Sequence, residues 1–570
     1  MSPRPPAHRL VAMLAIMVVA FGGIVVRLAT LQVRDNNTLS ALGMNQRMRT
    51  IDLPAERGQI LDRDGTALAV TREARDIYAN PTLVTDPLGE AETIAEALEL
   101  KPKDVRAALA TEGTFVYLKR QVDLDVALAL EALQLPGIGF LEVPQRYYPA
   151  GALAPQVLGI VNVDGLGIAG LEDQYQSQLA GTAGERTAEL SADGLPISTG
   201  TETLQEPVPG TSVVTTLDRQ MQFMAETALQ RAVERNQALG GTVIVMDPRT
   251  GDIYAMATSP GFDPNDFSDV SQDAMRNRTV TDSFEPGSVN KIITAAAALE
   301  TGSVGLEQRF QVPAQMTVGP FTIHDSHVHP VETMTIGDII AESSNIGSVM
   351  VANEVGNEHL GDYMERFGYG RETGVGFPGE AAGVLLPSSQ WDEVIRATVS
   401  YGQGISVTPL QMAGVYATIA NDGTWVQPRL VRGFEGADGT YRDAPASRTR
   451  RVVRPDTAEL LTRMLAYVVE DGTGAEAQIP GYQVAGKTGT SRKLDEYGHY
   501  VQRYMASFVG FLPASNPEVV IAVSIDEPRT VYGGLAAAPL FQELARYAIQ
   551  RLSIPAAPPV ALPPHAQELP

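Results

Sequence analysis

Ser288 stands three residues before Lys291 in Glu285-Pro286-Gly287-Ser288-Val289-Asn290-Lys291, a hydroxyl and an amine at a spacing that shares one helix face. Pro286 and Gly287 break the preceding structure and the run Ile292–Leu299 is Ala-rich, so the sequence predicts Ser288 at or near the first turn of a helix. Free backbone N–H groups and the positive end of the dipole at such a turn favour the negative charge that attack on a carbonyl creates. The pair suits an activated serine nucleophile. It also suits a plain helix start with a solvated lysine, and Ser-x-x-Lys alone does not separate the two.

Two further clusters follow in order. Ser343-Ser344-Asn345 lies in Ile339–Gly347, and Lys487-Thr488-Gly489-Thr490 closes the strand-like Tyr482–Gly486. Ser-x-x-Lys, Ser-x-Asn and Lys-Thr-Gly in this sequence are the signature of the penicillin-recognising serine acyltransferases. Over nearly its whole length the chain resembles one branch of them, the class B penicillin-binding proteins of the cell-division, FtsI-like type, which are septal peptidoglycan D,D-transpeptidases. The stretches that carry this are Arg57-Gly58-Gln59-Ile60-Leu61-Asp62-Arg63-Asp64-Gly65, Arg146-Tyr147-Tyr148-Pro149-Ala150-Gly151, Gly167-Ile168-Ala169-Gly170-Leu171-Glu172 and Tyr401–Gln411.

The resemblance implies a chemistry. Ser288 attacks the carbonyl of the penultimate D-Ala of a stem peptide, terminal D-Ala leaves, and an amine from a neighbouring stem takes the acyl group. Lys291 is the base, which requires a neutral amine, and burial beside a second cation, Lys487, pushes in that direction. Ser343 relays the proton to the leaving amine, and Asn345 orients the substrate amide. Lys487, Thr488, Gly489 and Thr490 form the pocket for the terminal carboxylate, and the backbone N–H groups of Ser288 and Thr490 form the oxyanion hole. No cofactor is implied. The implied partners are stem peptides, β-lactams, the membrane and division proteins including an FtsW-type lipid II glycosyltransferase.

Rival readings differ in products and context. A β-lactamase shares the motifs but needs fast hydrolysis and has no use for an anchor, a D,D-carboxypeptidase transfers to water, and an elongation-type class B transpeptidase is the nearest rival. A catalytically idle scaffold or β-lactam sensor would be labelled without turnover. Lys-Thr-Gly-Thr-Ser-Arg-Lys together with Ser-Ser-Asn favours the division type.

Composition narrows the classes further. With 43 basic and 67 acidic side chains the net charge is −24, which argues against nucleic acid, and without cysteine there are no disulfides, thiolate metal sites or cysteine nucleophiles. The apolar share of 44% over 570 residues supports two to four folded domains.

Leu10–Val26 is an unbroken apolar run that Leu28–Val33 can extend, and it reads as one membrane span, with a cleaved signal peptide or a buried helix as alternatives. Arginines on both sides leave orientation open by charge, and the resemblance puts the body outside the cytoplasmic membrane, at the septum. The expected layout is a short cytoplasmic tail over 1–9, an anchor over 10–33, an extended α+β pedestal over 34–215, a transpeptidase domain over 216–553, and a disordered Pro/Ala-rich tail over 554–570. The pedestal carries Arg57, Arg63, Arg146 and Glu172, expected as a charged network. Gln156 stands where the family often has histidine. The transpeptidase domain is expected to be α+β/α/β, a sheet of about five mainly antiparallel strands, with helices 218–238 and 539–552 on one face and the Ser288 helix on the other. His324-Asp325-Ser326-His327-Val328-His329 suggests either a metal or, as preferred here, a surface loop near the cleft.

Overall fold

A computed structural model describes residues 7–34, 48–189 and 202–566. They fall into two compact units, one from the described residues up to Glu56 together with Gly181–Pro209, the other from Arg57–Ala180 and Gly210 onward. In the first, helix α1 (Ala7–Ala29) continues through a π-turn at Thr30–Arg34. Ala7–Gln32 is the one described helix long and apolar enough to cross a bilayer, and the side chains of α1 are exposed along its length. The loosely alternating Met48–Leu53 is a strand, antiparallel to Gly184–Glu189, which in turn pairs with Glu202–Gln205.

The second unit contains two larger sheets. The first is built on the long strand Ala67–Ala79, which pairs with Val116–Asp123 and Ile138–Tyr147. It continues through Ile60–Leu61 to Ser212–Thr215 and Val431–Glu435. This sheet crosses residue 215, where the sequence suggests a domain boundary, so Arg57–Ala180 packs as part of the unit that holds the three motifs. Helices Pro87–Leu98 and Pro102–Leu109 cover one end through Ile94, Leu98, Val105 and Leu109. Glu172, fully buried, accepts from Arg57 Nε at 2.7 Å and Arg146 Nε at 2.6 Å, which ties the three distant motifs together. Arg63 lies apart from this knot, its guanidinium 4.4 Å over the Tyr254 ring. Gln156 is buried and donates to the carbonyls of Pro260 and Ala274, a structural use that needs no titrating group.

The other sheet has five strands, β1 (Gly240–Met246), β2 (Ile253–Ser259), β3 (Ala485–Leu494), β4 (Tyr500–Leu512) and β5 (Val519–Asp526), in the order β2-β1-β5-β4-β3 and antiparallel throughout. Side chains alternate between two cores as the pleat requires. Val243, Val245, Ile521 and Val523 meet α2 (Arg219–Asn236) and, through Phe541 and Leu544, a C-terminal helix over Ala538–Arg551. Ile244, Met246, Val520 and Ala522 face the opposite core, shared with α3 (Lys291–Thr301). The Thr408–Gln411 motif starts a helix over Pro409–Ala420 in which every residue is buried: Pro409 sits in its first turn, and Thr408 and Gln411 form a reciprocal capping box.

The tail departs from expectation. Pro/Ala-rich composition and missing periodicity suggest disorder, yet residues 554–566 lie along the body. Ile554 and Ala566 are buried, Gln483 exchanges two hydrogen bonds with Val560, Arg463 donates to the carbonyls of Ala561 and Leu562, and Ala566 N donates to Asp338. Backbone groups bonded to fixed side chains supply the order that periodicity does not reveal.

Candidate active site

Ser288 sits in a 3-10 turn, Gly287–Asn290, that leads into α3. Gly287 has φ +59°, and its N–H donates to Gly402 O at 3.0 Å. Gly402 has φ +87°, and a Cβ there would come within 2.2 Å of Gly287 O, which explains a glycine in Tyr401-Gly402-Gln403-Gly404. Glu285 joins the same turn to its surroundings by accepting from Gly404 N at 2.8 Å and the Tyr500 hydroxyl at 2.9 Å. Asn290 is buried and donates to Val399 O at 2.8 Å. The turn packs on the edge strand β3, with Gly287 against Thr490 and Ser491.

Lys291 opens α3 and is fully buried. Its Nζ donates to Ser343 O, to Ser343 Oγ at 3.3 Å and to Asn345 Oδ1 at 2.8 Å. Those three acceptors match the three donors of an ammonium, and among the described residues no hydrogen bond joins Nζ to Ser288 Oγ. The helix-face spacing thus brings Lys291 to the Ser-x-Asn turn, and a bond to Ser288 requires the amine to give up one of these partners. Burial drives the Lys291 pKa down to about 7, against a smaller upward pull from Asp325. Lys487 on β3 is also fully buried, and its Nζ donates to the same Ser343 Oγ at 2.9 Å. Burial first and then Lys291 hold the Lys487 pKa well below the ordinary lysine range.

Ser343 itself has φ +60°, a left-handed conformation that costs a non-glycine residue about 1 kcal/mol or more. Ser344 follows as N-cap of α4 (Asn345–Val355), its Oγ accepting from Gly347 N at 2.8 Å. On β3, Thr488 Oγ1 lies 2.9 Å from Thr473 Oγ1, and Thr490 Oγ1 accepts from Gly533 N at 3.1 Å.

These residues border a cleft of about 1140 Å³ lined by Ser288, Ser343, Asn345, Thr473, Thr488 and Thr490 among others. Neither lysine lines it; both stand behind Ser343. Thr473, beside both Lys487 and Thr488, escapes sequence reading because it lies in an unremarkable loop after a helix. The histidine-rich loop corrects another expectation. His324 and His327 line the cleft, but the side chains of Asp325 and His329 are only 3% exposed and bond to each other, so this is not merely a surface loop. Among the described residues no group of three or more acidic, histidine or cysteine side chains is arranged to hold a metal.

The sequence of residues 241–546 matches the penicillin binding protein transpeptidase domain, and residues 52–215 match the penicillin-binding protein dimerisation domain. The chain belongs to the penicillin-binding protein transpeptidase family. It is 36% identical to the penicillin-binding protein PbpB of Mycolicibacterium smegmatis, covering 96% of this chain and 90% of that one. It is 33% identical to the peptidoglycan D,D-transpeptidase FtsI of Escherichia coli, covering 93% and 89%. The fold is similar to the crystal structure of penicillin binding protein 3 from Mycobacterium tuberculosis complexed with aztreonam, at TM-score 0.71 and 33% identity over 90% of this chain and 100% of that one. Lys291, Ser343 and Lys487 all fall within residues 241–546, the stretch that matches the transpeptidase domain.

Proposed function

We propose that this penicillin-binding protein cross-links septal peptidoglycan as a serine D,D-transpeptidase, with Ser288 as nucleophile and Ser343 as proton relay. The observation that carries the reading is the convergence of Lys291 and Lys487 on Ser343 Oγ at the wall of a cleft that Ser288 also lines. Lys291, its pKa lowered to about 7 so that the neutral amine is populated near neutral pH, accepts the Ser288 proton as the oxygen attacks the penultimate D-Ala carbonyl. The proton passes through Ser343 Oγ to the departing D-Ala amine, and Lys487, directly behind, stabilises the changing charge on that hydroxyl. Asn345 holds the substrate amide. Thr488 and Thr490 reach the cleft surface and take the terminal carboxylate, with Lys487 supplying positive charge from behind them; Gly489 between them packs on Ser507, whose Oγ a Cβ there would meet at 2.3 Å. The backbone N–H groups of Ser288 and Thr490 receive the oxyanion, worth about 3–4 kcal/mol per donor.

Placement follows from the rest of the chain. Helix α1 anchors the protein in the cytoplasmic membrane with the motif-bearing unit outside, and the segment 34–215 serves as pedestal and docking element for division proteins such as an FtsW-type glycosyltransferase. Residues 216–553 carry the chemistry.

Product analysis tests the reaction. Pentapeptide stems ending in D-Ala-D-Ala, with a free acceptor amine, should yield cross-linked dimers and one D-Ala per bond formed. Release of tetrapeptide alone would make the protein a carboxypeptidase, and covalent labelling by penicillin without either product would make it an idle scaffold.

A further inference from the structure

The loop His324–His329 is absorbed by none of the roles above, yet its Asp325 touches the Ser-x-Asn turn at three points. Asp325 Oδ1 accepts from the backbone N–H of Asn345 and, at 3.0 Å, of Ile346. Oδ2 accepts from Ser344 Oγ at 2.7 Å and from His329 Nε2 at 3.1 Å. The carboxylate thereby caps α4 at the positive end of its dipole and grips the three residues that follow the left-handed Ser343. Asn345, placed this way, presents Oδ1 to Lys291 Nζ, while its Nδ2 donates to His324 O at 2.9 Å in the same loop.

His329 fixes Asp325 from the other side. Its Nδ1 faces the Pro330 carbonyl oxygen at 2.6 Å and its Nε2 faces the Asp325 carboxylate. A carbonyl oxygen and a carboxylate both accept, so this geometry favours a proton on each ring nitrogen, the imidazolium form. Around it lie Asp325, Glu332 with Oε2 at 3.9 Å from Nδ1, the His327 ring at 5.5 Å, and Lys291 beyond Asp325.

We propose that Asp325 and doubly protonated His329 are a positioning pair that holds the Ser343–Asn345 turn against Lys291, so that the proton relay is assembled while His329 keeps both protons and loosens when it loses one. The pair rests on the site reading above, in which Ser343 and Asn345 serve the reaction. Burial pulls the His329 pKa down, but Pro330 O, Asp325 and Glu332 together outweigh it and leave a net rise. Deprotonation leaves two acceptors facing one N–H, so the grip weakens as pH rises above the ordinary histidine range. Asp325 also stabilises the charged form of Lys291, so removing its charge lowers the Lys291 pKa further.

The test is the second-order rate of acylation of the full-length protein by a fluorescent penicillin as a function of pH. Asp325→Asn should acylate roughly tenfold to a hundredfold more slowly, the loss expected when charge-assisted bonds that orient a reacting group are removed. Its rate should begin to rise at lower pH than in the parent. His329→Gln, which offers an N–H but does not titrate, should lower the neutral rate and abolish the alkaline decline. Should Asp325→Asn not fold, histidine side-chain 15N shifts of the parent protein at pH 7, assigned by comparison with His329→Gln, decide the matter: both nitrogens of His329 should be protonated. An unchanged profile in Asp325→Asn, an alkaline limb surviving in His329→Gln, or a neutral imidazole would each overturn the pair. Ser288→Ala separates the two readings, since label retained there sinks the nucleophile assignment and leaves the pair's geometry untouched.

Discussion

Lys291 and Lys487, both shut off from solvent, aim their amines at one oxygen, Ser343 Oγ, from 3.3 and 2.9 Å. Two ammonium groups cannot comfortably share that hydroxyl in a desolvated site: burial lowers the proton affinity of both, and Lys291 lowers that of Lys487 further. The arrangement keeps one amine available as a base near neutral pH.

Acylation should therefore rise with pH through about 7 as Lys291 loses its proton, the value its burial sets. Lysine deprotonates upward in pH, so the rate is low on the acid side. Stopped-flow acylation on the acid limb, from about pH 5 to the maximum that precedes the His329-linked decline, checks it, and a flat acid limb would mean that another group takes the Ser288 proton.

Lys487→Met should slow acylation by roughly a hundredfold, as loss of an electrostatic stabiliser of the reacting groups does. It should also raise Tm at neutral pH by a few degrees, because a buried cation with a depressed pKa opposes folding below its unfolded pKa of about 10.4. The penalty shrinks as pH climbs toward that value, so the gain should shrink too. Calorimetry at pH 7 and pH 9.5 gives both signs.

Glu172→Gln should destabilise the protein by about 3–5 kcal/mol, since two guanidiniums would lose their shared buried carboxylate. Arg57 and Arg146 are nearly as buried as Glu172 itself. Urea melts measure the loss. The folded fraction should acylate at the parental rate, because Glu172 lies in the pedestal segment rather than at the cleft.

Truncation after Ser553 should cost about 1–3 kcal/mol, reflecting the loss of hydrogen bonds to Gln483 and Arg463 and of two buried apolar side chains. An unchanged Tm would mean that residues 554–566 contribute no net stability despite their contacts.

Much of this was legible from local signals. Pro286-Gly287 before an Ala-rich run marks the turn at Ser288, the continuous apolar run Val519–Val523 marks a strand with two buried faces, and Thr408-Pro409-Leu410-Gln411 is a helix start. What stayed hidden depends on contacts distant in sequence. Thr473 matters only because β3 brings Thr488 beside it, and Asp325 only because its loop meets the N-terminus of α4. The tail's order comes from side chains of Arg463, Gln483 and Asp338, none of which periodicity over residues 554–566 could announce. Likewise, the sheet through Ile60–Leu61, Ser212–Thr215 and Val431–Glu435 joins segments that composition separates at residue 215.

The central claim is that Ser288 is the acylated nucleophile of a slow-deacylating transferase. A strained lactam offers a carbonyl next to a carboxylate, and after ring opening the amine stays tethered and blocks an incoming acceptor. Intact-mass measurement after penicillin treatment, followed by peptide mapping, should find one added drug on the peptide holding Ser288, and none in Ser288→Ala. A label on Ser343 or Ser344, or rapid release of hydrolysed drug, would contradict the account.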